Sequence, residues 1–177
     1  MSPPIGHAAA ALNNCTLLIF GGRNASSAYL NDTWLLNIDT LTWSNISTPE
    51  GYESPSGRAF SSAVGAGNDT VILFGGTDGE GNFGESWCFS KGMTEKEPLH
   101  WRRIITGGLP PSPRYGHSAI TITDETFLVI GGCAVSPQSE VGGSSSSSSF
   151  HPSPQDLPTN EAELVELLQV DLISYPS

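Results

Sequence analysis

Short apolar runs separated by turn-forming residues recur at a regular interval along the chain. The run at residues 16–20 ends in Gly-Gly at 21–22, and runs of the same form at 70–74 and 126–130 also end in Gly-Gly. The first glycines of these pairs are 54 and 56 residues apart. Short leucine, β-branched and aromatic runs bounded by Gly, Asn and Pro are typical of β-strands. The spacing therefore predicts a repeated unit built from strands.

Each repeat contains further matching elements on both sides of the glycines. His7 and His117 stand 14 residues before the first glycine of their copies, and Ser61 holds that place in the second copy. Two tryptophans follow the glycines in each of the first two copies, namely Trp34 with Trp43 and Trp87 with Trp101. These elements together predict four short strands in each complete copy.

The third copy is interrupted after its glycines. Residues 167–171 reproduce residues 35–39, but 22 extra residues precede them. Tyr175 then falls where Trp43 stands in the first copy. We therefore expect 167–171 to pair as a strand in the same way as 35–39.

The inserted stretch, residues 134–160, contains six consecutive serines and four prolines. This composition predicts a flexible surface loop. Asn160 and Glu163 ahead of several apolar residues fit the start of an amphipathic helix, which is the alternative for the segment that follows. The repeat alignment favours the strand.

These features resemble those of the kelch repeat family, in which an Arg or Gly-His element precedes an apolar run ending in Gly-Gly and paired aromatics follow. The resemblance covers nearly the whole chain. It implies an all-β fold, a partial kelch-type β-propeller with two complete four-stranded blades plus a truncated third. The blades are expected at residues 2–50, 54–106 and 111–177, and the third, incomplete blade carries the Ser/Pro-rich insertion at 134–160.

The copies depart from the family pattern in three places. Pro4 stands where the third copy has Arg114, and Ser61 replaces the histidine of the other copies. The third copy lacks both the acidic-Thr-Trp element and the closing tryptophan.

The repeated glycines and tryptophans are explained most simply by structure. A glycine pair at a strand end allows positive φ and close approach of another backbone. Tryptophans bury large apolar surfaces and are expected to pack between blades, so Trp43→Ala should cost about 3–5 kcal/mol. The structural repeat positions are Gly21, Gly22, Gly75, Gly76, Gly131, Gly132, Trp34, Trp43, Trp87 and Trp101.

Charge and hydropathy exclude several classes of function. The net charge of -11 disfavours nucleic-acid binding. No apolar run approaches the ~20 residues that cross a bilayer, and no export signal is recognisable, so we expect a cytoplasmic or nuclear protein without a membrane partner. Cys15, Cys88 and Cys133 are odd in number and far apart, which predicts reduced thiols. Five Asn-x-Ser/Thr sequons fit turn chemistry, and their glycosylation is left open.

No catalytic motif stands out in the sequence. There is no recognisable Ser/His/Asp set, carboxylate pair or phosphate-binding glycine loop. His7 and His117 hold equivalent repeat positions, which indicates a structural role, so we expect no metal and no cofactor. Because propellers related to kelch proteins include copper oxidases, the alternative is a propeller enzyme acting on a carbohydrate or small molecule, copper-oxidase-like or sugar-isomerase-like.

The long loops should gather at one face of the blades. In an antiparallel four-stranded blade, the loop after the second strand and the link to the next blade emerge at the same end. This long-loop face comprises the loops 23–30, 77–84 and 133–160 and the links 47–57 and 106–113. Arginines and aromatics in such loops are frequent anchors of recognition. The candidate binding residues are Arg23, Tyr29, Arg58, Phe83, Arg114 and Tyr115.

The resemblance implies a protein–protein interaction module, such as the substrate-recognition or scaffolding part of a larger protein. Residues 98–104 and the ending Gly-Gly-Cys133 look similar to F-box kelch proteins, and an accompanying F-box, BTB or phosphatase domain is left open. The acidic chain favours a basic partner, although Arg58 and Arg114 would suit an acidic motif. Because a closed propeller needs about four to eight blades, we expect a fragment of a longer protein, or self-association through open blade edges.

Overall fold

The computed structural model describes residues 4–67, 69–92, 97–105, 110–134 and 165–169, the last segment as backbone only. Within these ranges all elements of regular secondary structure are β-strands. The strands are β1 (Ala8–Asn13), β2 (Thr16–Phe20), β3 (Thr33–Asn37), β4 (Thr42–Ile46), β5 (Ser62–Gly65), β6 (Thr70–Phe74), β7 (Ser86–Lys91), β8 (Leu99–Ile104), β9 (Ser118–Thr123), β10 (Thr126–Ile130) and β11 (Val165–Gln169).

The strands form three antiparallel sheets in which chain neighbours pair. The first sheet has the order β1-β2-β3-β4, the second β5-β6-β7-β8, and the third contains β9, β10 and β11. The leading strands are neighbours across sheets, since β1 contacts β5 and β5 contacts β9. This arrangement of successive antiparallel meanders side by side confirms the all-β fold and is the arrangement expected of propeller blades.

Strand β11 pairs in the register that the repeat alignment predicts. Leu128 lies opposite Leu167 in the third sheet, as Leu18 lies opposite Leu35 in the first. The strand expected at 167–171 is therefore present through Gln169, and the helix alternative is wrong for residues 165–169. Most of the predicted loop at 134–160 lies outside the described residues, as does the counterpart of the closing tryptophan at 175.

Two apolar layers lie between successive sheets. In the first layer, Leu18 and Phe20 of the first sheet pack with Val71, Phe89 and other side chains of the second. The second layer contains, from the second and third sheets, Val64, Ala66, Ile72, Phe74, Cys88, Phe127 and Val129. Because neighbouring residues of a strand point to opposite faces, the middle sheet needs apolar residues at consecutive positions. This requirement explains the uninterrupted apolar run at 71–74.

The repeated glycine pairs allow one sheet to approach the next closely. All six have positive φ, for example 65° at Gly21 and 97° at Gly22. A Cβ on Gly21 would lie 2.6 Å from the Arg58 carbonyl oxygen, and one on Gly75 would lie 2.6 Å from that of Arg114. A side chain is therefore excluded at these positions by both backbone conformation and space.

The equivalent tryptophans Trp43 and Trp101 have different surroundings. Trp101 is 3% exposed and lies against the first sheet, whereas Trp43 is 55% exposed. Trp87 is also buried, and Trp34 is half-buried. The expectation that Trp43 packs between blades is wrong, because within the described residues no sheet lies against its side of the first sheet.

Among the described residues, each terminal sheet therefore has one apolar surface that no other sheet covers. On the first sheet, Leu17, Leu36 and Trp43 form a cross-strand row on this surface, which we call the first free face. On the third sheet, Ile120, Ile122 and Ile130 are exposed, which we call the second free face. By repeat position, the first free face is equivalent to the side of the second sheet that packs on the first sheet. The second free face is equivalent to the side of the first sheet that packs on the second.

Candidate functional site

The described parts of the long-loop face, residues 23–30, 47–57, 77–84, 110–113 and 133–134, lie at one end of the sheets. Gly22 donates its amide to the Arg58 carbonyl oxygen at 2.8 Å, which joins the loop after β2 to the link before β5. Gly76 and Arg114 make the same bond at 2.9 Å between the second and third sheets. The face is therefore a continuous surface to which all three sheets contribute.

Arg58 lies beneath this face rather than on it. Its side chain is 0% exposed, and its guanidinium donates to the Gly75 carbonyl oxygen at 3.2 Å and to Glu85 Oε1 at 2.7 Å. A third hydrogen bond runs from Nε to the Ser56 carbonyl oxygen. The guanidinium carbon also lies 3.9 Å from the centre of the Phe83 ring, a cation–π contact. Arg58 thus ties its link to the strand end of its own sheet.

The environment of the Arg58–Glu85 pair keeps both groups ionised at neutral pH. Burial lowers the pKa of Arg58, and the adjacent Glu85 offsets part of that effect. Burial alone would raise the pKa of Glu85, but the hydrogen bond and charge of Arg58 help to bring it below its usual value. Two opposite charges in hydrogen-bonding contact favour each other's charged form.

Arg114 repeats this arrangement in the third sheet. It is buried, with Nη1 donating to the Gly131 carbonyl oxygen at 2.9 Å and Nη2 donating to Ser112 Oγ at 2.6 Å. The expectation that Arg58 and Arg114 form an exposed acceptor for an acidic motif is therefore wrong. Each arginine reaches a glycine 17 residues ahead, and this constant spacing is the sequence signal that indicates a structural role.

Arg23 and Tyr29 lie in the first loop of the face and are both half-buried. The Arg23 guanidinium lies 5.8 Å from the centre of the Tyr29 ring. Tyr29 reaches the second loop, where a Cβ on Gly79 would come within 2.8 Å of its hydroxyl oxygen. Asn82 of the second loop donates to the Cys133 carbonyl oxygen at 3.3 Å. The first loop therefore contacts the second, and the second contacts the start of the third.

The other two candidates have different surroundings. Phe83 is half-buried under the Arg58 guanidinium. Tyr115 is half-buried, and its pKa is raised by burial and by a hydrogen bond with the Cys133 side chain. The structure thus pairs Arg23 with Tyr29 and Arg58 with Phe83, while Tyr115 stands beside Cys133.

Two apolar residues of this face were missed by the sequence interpretation. Ile5 and Phe60 are both exposed, and the rings of Phe60 and Tyr115 lie 6.3 Å apart between centroids. Phe60 occupies the position held by Gly6 and Gly116 in the other copies, which is the signal that could have revealed it.

Several carboxylates lie on the loops and links of the long-loop face. Glu50, Glu53 and Glu80 are exposed, and Asp78 is half-buried close enough to Arg58 to affect its pKa. Because the arginines of this end are engaged internally or half-buried, the exposed charge here is mainly negative.

His117 joins the second and third sheets just below the long-loop face. Its Nε2 and the Ser62 hydroxyl oxygen lie 2.7 Å apart, and its ring meets Phe74 edge-on at 5.2 Å. Burial, reinforced by the nearby charge of Arg114, lowers the pKa of His117 to about 4. The imidazole is therefore neutral in the folded protein at neutral pH, in a structural setting.

Acidification should destabilise the protein through His117. Between pH 6.5 and 4 the unfolded chain binds a proton at this residue that the folded chain does not, so the free energy of unfolding should fall by about 3 kcal/mol in total. Below about pH 4 this contribution should level off. Urea unfolding of wild type and His117→Gln over this pH range measures the effect. A wild-type pH dependence that His117→Gln leaves unchanged would contradict it.

The described part of the chain contains no group of three or more His, Cys, Asp or Glu side chains placed to hold a metal ion. Its three cysteines, in the same ranges, are free thiols. No helix there has the length and apolar character needed to span a membrane.

Comparison with known proteins relates the chain to one family. Residues 1–144 match the family model described as the KLHDC2/KLHL20/DRC7 Kelch-repeats domain. The chain is 33% identical over 141 residues to acyl-CoA-binding domain-containing protein 4 of Arabidopsis thaliana, and 31% identical over 134 residues to kelch domain-containing protein 2 of Bos taurus. It is 36% identical over 140 residues to the flagellar outer-arm dynein alpha chain of Chlamydomonas reinhardtii.

These similarities involve most of this chain but small parts of the relatives. The matches cover 78%, 75% and 73% of the chain, against 20%, 30% and 3% of the Arabidopsis, Bos and Chlamydomonas proteins. The chain therefore spans less than a third of the length of each of these relatives.

Proposed function

This chain belongs to the kelch repeat family, and we propose that its long-loop face binds a protein partner as the recognition part of a larger assembly. Domains of this family are generally protein-interaction modules and typically lack enzymatic activity. Substrate recruitment and scaffolding are the two forms of this function that we propose. No observation on the described residues favours the enzyme alternative.

The observation that supports the proposal most directly is the construction of the long-loop face. Hydrogen bonds through Gly22 and Gly76 hold the loops of successive sheets against rigid strand ends. On this base stand the half-buried Arg23 and Tyr29 and the exposed Phe60. Aromatic and arginine side chains on rigidly held loops are common anchors of protein interfaces.

The charge of the face favours a partner that presents lysine or arginine. Glu53 and Glu80 are exposed on it, and the chain as a whole has a net charge of -11. Complementary charge around an interface raises the association rate and excludes wrong partners. The candidate binding residues Arg23, Tyr29, Phe83 and Tyr115 stay predictions in this role, and Arg58 and Arg114 support the face from beneath.

A matched pair of charge reversals tests the location of binding. Peptides are first selected on the wild-type chain from a phage-displayed random library. The double variant Glu53→Lys with Glu80→Lys should weaken their binding about tenfold, because it reverses the charge of the long-loop face. Asp124→Lys with Glu125→Lys makes the same change in net charge at the opposite end and should have little effect. Fluorescence anisotropy measures both.

Two results would count against the proposed function. One is failure to select any peptide that binds the folded chain. The other is binding that depends on Asp124 and Glu125 and is unaffected by the changes at Glu53 and Glu80, since the binding surface would then lie at the end of the sheets opposite the long-loop face.

A further inference from the structure

Phe60 has a backbone conformation that its side chain disfavours. Its φ is 58°, in the left-handed region that glycine adopts readily and bulky residues rarely do. At the equivalent position in the other copies, Gly6 and Gly116 have φ of 68° and 67°. The fold therefore requires this conformation three times, and only the second copy meets it with a large side chain. Such strain is often retained at sites where the side chain has a function.

The connection between sheets does not depend on the phenylalanine side chain. The Phe60 amide donates to the Gly6 carbonyl oxygen at 2.7 Å, and the Gly116 amide donates to the Phe60 carbonyl oxygen at 2.8 Å. These are backbone bonds, and glycine takes part in both of them. Stacking of the sheets thus explains the left-handed conformation but gives no reason for an aromatic residue there.

The ring of Phe60 is held in a defined place with part of its surface open. A Cβ on Gly6 would come within 2.8 Å of the ring, so the absence of a side chain at Gly6 makes room for it. The Tyr115 ring is tilted by 55° to the Phe60 ring, with 6.3 Å between the two centroids. Phe60 is 38% exposed, and Ile5, next to Gly6, is 60% exposed. We call Ile5, Phe60 and Tyr115 the apolar platform.

Negative charge lies beside the apolar platform. Thr77 and Ala59 pair through two backbone hydrogen bonds of 2.9 Å, which places Asp78 near the strand segment that contains Phe60. Asp78 is half-buried, and its carboxylate accepts the amides of Glu80 and Gly81 in a tight turn. A fixed carboxylate beside an exposed apolar surface complements a cationic side chain next to an apolar one.

We propose that the apolar platform receives an aliphatic or aromatic side chain of a peptide segment in which lysine or arginine flanks that residue. This inference rests on the proposed function and specifies the chemistry of its partner. Phe60 supplies the central contact, and Asp78 with Glu80 faces the flanking positive charge. A partly exposed aromatic ring surrounded by a polar rim is a frequent arrangement in binding hot spots.

The test uses the peptides selected on the wild-type chain and the variant Phe60→Gly. Glycine suits the left-handed conformation, so the melting temperature should stay within about 3 °C of wild type as relief of strain offsets the lost ring contacts. Peptide binding should weaken at least tenfold. The selected sequences should be enriched in an apolar residue flanked by Lys or Arg.

Trp43→Ala is the matched control, since it removes an exposed aromatic from the first free face. It should leave peptide binding within about twofold of wild type. Peptides that bind less well after Trp43→Ala but equally well after Phe60→Gly would overturn the proposal, because they would be occupying the first free face.

Other results separate this inference from the proposed function. If Glu53→Lys with Glu80→Lys weakens binding but Phe60→Gly does not, the platform is wrong and the long-loop face stands. If no selected peptide binds less well after either the charge reversal or Phe60→Gly, both the proposed function and the apolar platform are wrong. A fall of more than about 10 °C in the melting temperature of Phe60→Gly would show that the ring holds the sheets together, which is contrary to the proposal.

Discussion

Replacing Trp101 with alanine should lower the free energy of unfolding by about 3–5 kcal/mol. Trp101 is 3% exposed, and its ring lies 5.1 Å from both Phe20 and Phe89 between centroids. Its indole also donates to the Thr33 hydroxyl at 2.8 Å, across the junction of the first two sheets. Alanine would leave a cavity in this layer and remove the donor of a buried hydrogen bond.

The same substitution at Trp43 provides the internal control. Trp43 stands at the equivalent repeat position but is 55% exposed, so Trp43→Ala should cost about 1 kcal/mol or less. Urea unfolding of both variants at the same low protein concentration gives the comparison. Equal losses of stability would mean that the two faces of the first sheet have been assigned wrongly.

The difference in stability loss between Trp43→Ala and Trp101→Ala also shows whether another sheet covers the first free face. We propose that the free faces take a further blade, either from a longer protein or from a second copy stacked head to tail. Trp43 would then enter surroundings like those of Trp101, and Trp43→Ala should become more costly. In the isolated chain, self-association predicts that this cost increases with protein concentration.

The repeat made much of the fold predictable from the sequence. Because Leu167 aligns with Leu35 and Gln169 with Asn37, a strand could be expected beyond a long insertion, and its register follows from that of the first sheet. The constant offset of His117 from its glycine likewise indicated a structural role, and the structure places its imidazole in contact with the Ser62 hydroxyl between two sheets. Strand register and the role of a repeated side chain depend on positions within one repeat, so the sequence pattern is enough to predict them.

Features that depend on neighbouring sheets were not predictable in the same way. Trp43 and Trp101 are equivalent in sequence, but burial depends on whether another sheet covers them. Arg58 directly follows the link 47–57, a position that predicts surface exposure, whereas its side chain turns inward to reach Gly75 and Glu85. Phe60 is visible in the sequence as a departure from glycine, yet only the backbone angle shows that it is strained.

Removing the Arg58 guanidinium should cost about 3 kcal/mol, at the lower end for a broken buried ion pair, because Glu85 retains some contact with solvent. Arg58→Met keeps much of the apolar stem but leaves the Gly75 carbonyl oxygen without its side-chain donor and removes the contact with Phe83. The substitution also leaves the Glu85 carboxylate partly buried without a cation. Trp87 still donates to it at 3.2 Å, which limits the loss.

A double-mutant cycle identifies the part of this loss that belongs to the ion pair. Glu85→Gln removes the need for a counter-charge, so adding it to Arg58→Met should recover about 1–2 kcal/mol relative to the sum of the single changes. Arg102 is half-buried on strand β8, away from this pair, so Arg102→Met makes the same chemical change and should cost less than about 1 kcal/mol. Urea denaturation of wild type, the two single variants of the pair and the double variant gives the coupling energy. Strict additivity, or an Arg58→Met variant as stable as Arg102→Met, would show that Arg58 does not secure the link to its sheet.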